Sequence, residues 1–292
     1  MGAKAVSANR NAAVAEALAR ALGGGAGAAP WQSLGGGFSE NFRVPWGREG
    51  VFLKLAPAAV LQAEADGLGA LAQCKALRVP RVLALGETGG QGFLALEWLP
   101  LTDLGDEGRL GEAIAALHGL HYPSYGWSRD NFLGATPQAN GWEDDWPRFF
   151  ATRRLHPLLA RAAAKGAPDL AVAAAPILAH IADFFPEAPP KALLHGDLWA
   201  GNKGYVGGQP AVFDPAVHIG DPECDLAMAA LFGGFSQNFY AAHAAAHPPR
   251  QGWVERRVLY QLYHVLNHFE LFGGGYARDA RKMIGRLCSA RS

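Results

Sequence analysis

The stretch Leu193-Leu194-His195-Gly196-Asp197-Leu198-Trp199-Ala200-Gly201-Asn202, followed by Val212-Phe213-Asp214, constrains this chain more than any other. A short apolar run, 192–194, delivers the backbone to a polar turn in which Asp197 and Asn202 stand five positions apart. That is the spacing of an H-x-D-x-x-x-x-N loop, where the carboxylate faces a reacting hydroxyl and the amide oxygen helps hold magnesium on phosphates. Residues 203–210, with Gly207-Gly208 between Tyr205-Val206 and Ala211-Val212-Phe213, read as a hairpin that returns Asp214 to the loop as a second magnesium ligand. Asp and Asn in turns commonly bond only nearby backbone. The His-Gly-Asp lead-in, the flanking strands and Asp214 together favour phosphoryl transfer instead.

At 292 residues the chain is long enough for one large domain or two lobes. Charged residues make up 18% and apolar ones 50%, with a formal net charge of zero, so no electrostatic footprint for nucleic acid or an anionic membrane is present. A small or neutral partner is expected. Cys74, Cys224 and Cys288 are odd in number and lack C-x-x-C spacing, against a disulfide framework or zinc site, so a reducing cytoplasm is the default expectation. Nothing reads as a signal peptide or a membrane span.

Along the chain, residues 9–22 carry Val14, Leu18, Ala21 and Leu22 at helical spacing, stopped by Gly23-Gly24-Gly25. Gly35, Gly36 and Gly37 form a turn between two strands, with Val51-Phe52-Leu53-Lys54-Leu55 beyond. Glycines allow backbone N–H groups close to phosphate oxygens, and a strand lysine can neutralise them. A helix over 61–74 places Glu64 ten residues after Lys54, in the order of a lysine–glutamate pair that fixes the head group over phosphates. Strands at 81–85 and 92–98 complete a five-stranded sheet. The second runs into Glu97-Trp98-Leu99-Pro100, a connector suited to a hinge, where backbone groups at Glu97 and Leu99 are placed to receive an adenine edge.

Beyond the hinge the pattern is helical from Arg109 to Gly119, then a long loop at 121–141, then helices at 142–165 and 170–185. Past Asp214, residues 219–228 open a further helix. Asp221 and Glu223 suit capping, and Asp225, with His195, is placed to brace the catalytic loop by accepting its backbone N–H groups. Residues 252–272 form a helix whose His264 and His268 lack a third metal ligand and read as core or pocket histidines.

Several of these segments resemble the fructosamine kinase (ketosamine-3-kinase) family: Gly-Gly-Phe-Ser-Glu-Asn at 36–41, Phe-Leu-Lys at 52–54, Asp-Asn-Phe-Leu-Gly at 130–134, His-Gly-Asp-Leu-Trp-Ala-Gly-Asn at 195–202, Phe-Asp-Pro-Ala at 213–216, Glu-Cys-Asp-Leu-Ala-Met at 223–228, and Tyr-Gln-Leu-Tyr-His-Val-Leu-Asn-His at 260–268. His-Gly-Asp with a later Asp is shared with aminoglycoside phosphotransferases and choline kinases; Trp199, the 130–134 loop and the 260–268 helix are more particular. The resemblance implies an α+β, bilobal protein-kinase-like fold: a small N-terminal antiparallel β-sheet lobe over residues 1–99 and a larger, mainly α-helical C-terminal lobe over residues 100–292. It implies ATP with Mg2+, and phosphorylation of the 3-hydroxyl of a ketosamine on a small amine or a protein lysine, leading to deglycation. By position, Asp197 is the base, Asn202 and Asp214 bind magnesium, Lys54 with Glu64 anchors the phosphates, Trp199 packs on the sugar, and Asn267 and His268 line the same pocket. Some members carry a redox-active cysteine in the glycine-rich loop; residues 35–41 contain none, so that switch is not expected.

Two other readings stay open: a kinase of the same fold acting on an aminoglycoside, choline or free sugar, and a pseudokinase scaffold. The preferred sugar, free against protein-bound substrate, and oligomeric state are left open by the sequence.

Overall fold

In the computed structural model, described for residues 2–25 and 29–289, the elements run α1 (Gly2–Leu22), β1 (Gln32–Gly35), β2 (Glu40–Val44), β3 (Val51–Ala56), α2 (Ala58–Leu71), β4 (Val82–Thr88) and β5 (Gln91–Glu97) in the first lobe. The larger lobe holds α3 (Glu107–His118), β6 (Asn131–Leu133), β7 (Thr136–Gln138), α4 (Trp146–Phe149), α5 (His156–Ala164), α6 (Pro168–Ala179), β8 (Ala192–Leu194), β9 (Lys203–Val206), β10 (Gln209–Val212), β11 (His218–Gly220), α7 (Glu223–Leu231), α8 (Gln237–Ala246), α9 (Trp253–Phe272) and α10 (Tyr276–Ser289). The architecture is the expected bilobal α+β one.

The small lobe is an antiparallel sheet in the order β1-β2-β3-β5-β4. Its central strand β3 is walled on both faces, and the period of two along it sorts side chains between two helices. Leu53 and Leu55, with Phe93 and Ala95 of β5, pack against Val14 and Leu18 of α1. Lys54 pairs across the sheet with Leu94, whose side chain joins Leu61 and Leu68 of α2. A one-residue register slip would therefore turn Lys54 away from the cleft.

The cluster around Leu61, Leu68, Leu94 and Leu96 continues without a break into Leu110, Ile114, Leu117, Leu193, Tyr205, Val212 and Phe239 of the larger lobe. The two lobes thus share apolar core at the back of the cleft. A separate core, built on Trp146, Phe149, Phe150, Tyr260 and Leu266, fills the body of the larger lobe.

Helix α3 begins at Glu107 because the Asp106 side chain accepts from Gly108 and Arg109 N–H at 2.8 and 3.2 Å. The single helix expected over 142–165 is instead divided: α4, a π-helical turn over Phe150–Leu155, then α5. Pro157 supplies no N–H to the preceding turn, and the helix widens just before it. The 170–185 helix likewise ends at Ala179, with a 3-10 turn over Ile181–Phe184. The long loop at 121–141 contains the β6–β7 hairpin.

Asp221 and Glu223 do more than cap. Asp221, fully buried, accepts from the Glu223 N–H at 3.0 Å and from Tyr260 Oη at 2.5 Å, and is ion-paired with Arg250. Glu223 receives Arg256 in a two-point contact, Nε to Oε2 at 2.6 Å and Nη2 to Oε1 at 3.0 Å. Removing one partner of a buried pair leaves the other charge stranded. Arg256→Ala is expected to lower unfolding free energy by about 3–5 kcal/mol in urea titrations; a loss within 1 kcal/mol would show that the pair is dispensable.

His264 is buried, and burial pushes it down from 6.5 to about 3. The unfolded chain takes up a proton there below pH 6.5 while the folded chain stays neutral until about 3, so this histidine's stabilising contribution is present above pH 6.5 and lost as pH falls. His264→Asn is expected to flatten the stability curve between roughly pH 4 and 6 by up to about 1.4 kcal/mol per pH unit, read by denaturant melts. An unchanged slope would mean that His264 is protonated in the fold.

Candidate active site

The turn that carries Asp197 is held from beneath by one carboxylate. Asp225, in the first turn of α7, accepts the backbone N–H of His195 on Oδ2 at 2.7 Å and that of Gly196 on Oδ1 at 2.9 Å, and takes a third hydrogen bond from His118 Nε2 at 3.1 Å. Burial alone would raise this carboxyl; the His118 and backbone donors outweigh it and hold it below the ordinary value. Gly196 has φ +81° and sits against the Ala216 carbonyl, where any Cβ would collide. His195 Nε2 donates to the Phe213 carbonyl at 3.0 Å and Nδ1 accepts from the Asp197 N–H at 3.3 Å, an arrangement that needs neutral imidazole; burial lowers its pKa in agreement.

The hairpin of β9 and β10 returns the chain as the sequence suggests, and Phe213 N–H closes on the Asn202 carbonyl at 3.1 Å. Asn202 Nδ2 donates to the Asp197 carbonyl and Oδ2, at 3.0 and 3.2 Å, and to the Asp214 carbonyl at 3.3 Å. Asp214 has φ +55°, alone among the described non-glycine residues. Such backbone is costly for a side-chain-bearing residue and is kept where its surroundings over-determine it.

From the other lobe Lys54 reaches Glu64 at 2.6 Å and makes an ion pair with Asp214. Burial opposes the ammonium, but the Asp214 and Glu64 carboxylates prevail and raise Lys54 above its usual value. Burial pushes Glu64 upward against the pull of Lys54; at 2.6 Å we take the pair as ionised. Asp197 faces the cavity but is otherwise walled in by protein, and this burial, with the Asp214 charge, pushes it up to about 7.

These groups line one cavity of about 570 Å³, together with Trp199, Asn267 and His268. Trp199 is 41% exposed and its ring lies over Gly201, a close approach that a Cβ at 201 would block. Asn267 is buried, its Nδ2 3.5 Å from the Leu133 carbonyl and its Oδ1 without a partner. His268 Nδ1 donates to the His264 carbonyl at 2.8 Å, which makes Nε2 the acceptor in the neutral ring.

Of the three glycines only Gly37 lines this cavity; Gly35 and Gly36 shape the turn behind it, and Glu97 and Leu99 also lie off it. Glu97 spends its N–H on the Arg81 carbonyl at 2.9 Å and its carboxylate on Arg78 and Arg81, while the Leu99 carbonyl accepts from Leu101. Phe38, Phe132, Phe232, Phe272 and Tyr276 also line the cavity. Sequence reasoning gave them no role. Phe38 and Phe132 stood inside quoted segments, but helix-end aromatics such as Phe232 and Phe272 carry no spacing signal.

The residues present suit magnesium in the way it is usually held. Among the described residues no cluster of three His, Cys, Asp or Glu forms a cage. Magnesium instead favours one or two carboxylates completed by phosphates and water. The closely placed Asp197 and Asp214, the first resisting ionisation, are a locus short of positive charge.

Comparisons with known proteins bear on the family and the fold. A family model described as fructosamine kinase matches residues 11–290. A protein of Synechocystis sp. named as a probable ketoamine kinase is 42% identical over 259 residues, covering 86% of this chain and 87% of that one. The crystal structure of a candidate fructosamine-3-kinase from Thermobifida fusca superposes with a TM-score of 0.85 at 30% identity, over 94% of this chain and 98% of that one. An aminoglycoside phosphotransferase APH(4)-Ia mutant, solved with AMP-PNP and hygromycin B, gives a TM-score of 0.67 at 16% identity, over 96% and 99%, a likeness of fold. The resemblance carried by the motifs is thereby met, and the chain belongs to the fructosamine kinase family of phosphotransferases.

Proposed function

We propose that this ketosamine kinase transfers the γ-phosphoryl group of ATP to the 3-hydroxyl of a sugar held on an amine as a ketosamine, and that the unstable product sheds its sugar, so that the enzyme serves deglycation in the cytoplasm. The reading is supported above all by the convergence of Lys54, Glu64, Asp197, Asn202 and Asp214 on one cavity that also holds Trp199, Asn267 and His268. We place the division between the lobes after Leu99, with the adenine against the connector and the phosphates under the 35–37 turn.

Phosphoryl transfer has a loose transition state, so positioning and charge neutralisation supply most of the rate. Magnesium held by Asn202 and Asp214 would neutralise charge on the phosphoryl oxygens. Lys54, oriented by Glu64, adds a second positive charge. Asp197 accepts the hydrogen bond of the attacking hydroxyl and takes its proton; a carboxyl raised to about 7 is a better base than an ordinary aspartate near neutral pH. The Trp199 face packs on the sugar, and the unpartnered Asn267 Oδ1 and His268 Nε2 accept from its hydroxyls.

Two experiments test this. Asp197→Ala is expected to lower kcat by at least about 100-fold while nucleotide binding by calorimetry survives; near-normal turnover would remove Asp197 as base. A panel of fructosyl-lysine, ribulosyl-lysine, an aminoglycoside, choline and free sugars, read by mass spectrometry for added phosphate, should show transfer to the ketosamines. Phosphorylation of only the other alcohols would reassign the substrate, and absence of any magnesium-dependent nucleotide binding would favour a scaffold.

A further inference from the structure

The rim of the active-site cavity is aromatic. Phe232, where α7 ends, lies 4.8 Å from the His268 ring centroid; His268 in turn lies 5.2 Å from Tyr276 and 5.6 Å from Phe272, and Phe272 meets Phe38 of the glycine-rich turn at 6.0 Å. Phe38, Phe232 and Phe272 are 45%, 48% and 59% exposed, so these rings form a wall open to solvent. Large exposed rings grouped around a cavity mouth mark a contact surface for a ligand.

The charges of the same cavity are arranged unevenly. Its carboxylates, Glu64, Asp197 and Asp214, lie on the floor, and among the described lining residues the one fixed cation is Lys54, already taken by Glu64 and Asp214. Arg129 and Lys203 elsewhere in the fold are committed to Asp66 and Glu107. His268 at the rim is held neutral by burial, with Nδ1 donating to the His264 carbonyl. A wall of ring faces attracts a cation and, with no other fixed cation among the described lining residues, offers a carboxylate no partner.

Resting on the ketosamine reading, we propose that the Phe38, Phe232, His268, Phe272 and Tyr276 wall receives the protonated amine and the alkyl chain of the adduct, and that the enzyme therefore selects adducts of alkyl amines and lysine side chains over adducts on the α-amine of a free amino acid. In a lysine side-chain adduct the sugar-bearing ammonium is followed by four methylenes, which the rings cover. In an α-amine adduct a carboxylate sits one carbon from that ammonium and enters the wall unpaired.

The test uses fructosyl-propylamine and fructosyl-glycine, similar in size and differing in a terminal carboxylate, together with their ribulosyl counterparts and glycated Nα-acetyl-lysine methylamide. With ATP and magnesium, kcat/KM is expected to be at least about tenfold higher for the propylamine and lysine adducts than for the glycine adduct, the difference lying mainly in KM. Phe272→Arg, which adds a cation at an exposed rim position, should narrow or reverse that ratio. Equal kcat/KM for the propylamine and glycine adducts, or a ratio unmoved by Phe272→Arg, overturns the proposal and leaves the ketosamine reading standing. No phosphorylation of any adduct, with aminoglycoside or choline phosphorylated instead, removes both.

Discussion

One buried carboxylate, Asp225, holds the turn that carries Asp197. Its two oxygens hold the first two N–H groups of the catalytic turn, and a third donor, His118, fixes the carboxylate itself. The contacts continue inward: His118 Nδ1 lies 2.9 Å from His243 Nε2, and burial lowers the pKa of His243 to about 3, so that ring is neutral. Helices α3, α7 and α8 are tied by this chain to the turn that carries Asp197.

The second constraint joins the lobes. Lys54 comes from the sheet and Glu64 from the helix behind it, yet the third member, Asp214, belongs to the other lobe. Positive backbone φ at Asp214 aims its carboxylate back across the cleft, and the Phe213 N–H to Asn202 bond prevents that turn from relaxing. Charges from both lobes are therefore brought to one point, as a site whose work is electrostatic positioning requires.

Much of this was legible in the sequence because the candidate groups are close in the chain. Asp197, Asn202 and Asp214 are joined by a tight hairpin whose Gly207-Gly208 turn is a local signal, and the order of Lys54, Glu64, the loop and Asp214 singled out the strand lysine. The bracing by Asp225 was also readable from its place in the first turn of the helix that follows Asp214, although its neighbours in that turn suit capping. What escaped was non-local. Helices α8 and α10 bear no motif, and α4 and α5 were merged because the π-helical turn between them answers to a missing N–H rather than to hydrophobic spacing. Asp221 and Glu223 read as caps, since nothing nearby announces that Arg250 and Arg256 will arrive to bury them. The aromatic rim draws on the glycine-rich turn and three separate helix ends, so no spacing in the chain reveals it.

The apolar core running through both lobes at the back of the cleft has a mechanical meaning. Leu94 and Leu96 of the sheet share one packed body with Leu110, Leu193 and Phe239, so swinging the lobes apart would open close-packed apolar surface to water. The cleft behaves as a jaw fused at its joint: admission and closure fall to the front, where the glycine-rich turn rests by Phe38 on Phe272 and beside Gly134. The lobes are thus joined at the back by packed core and meet at the front through a lip of a few residues.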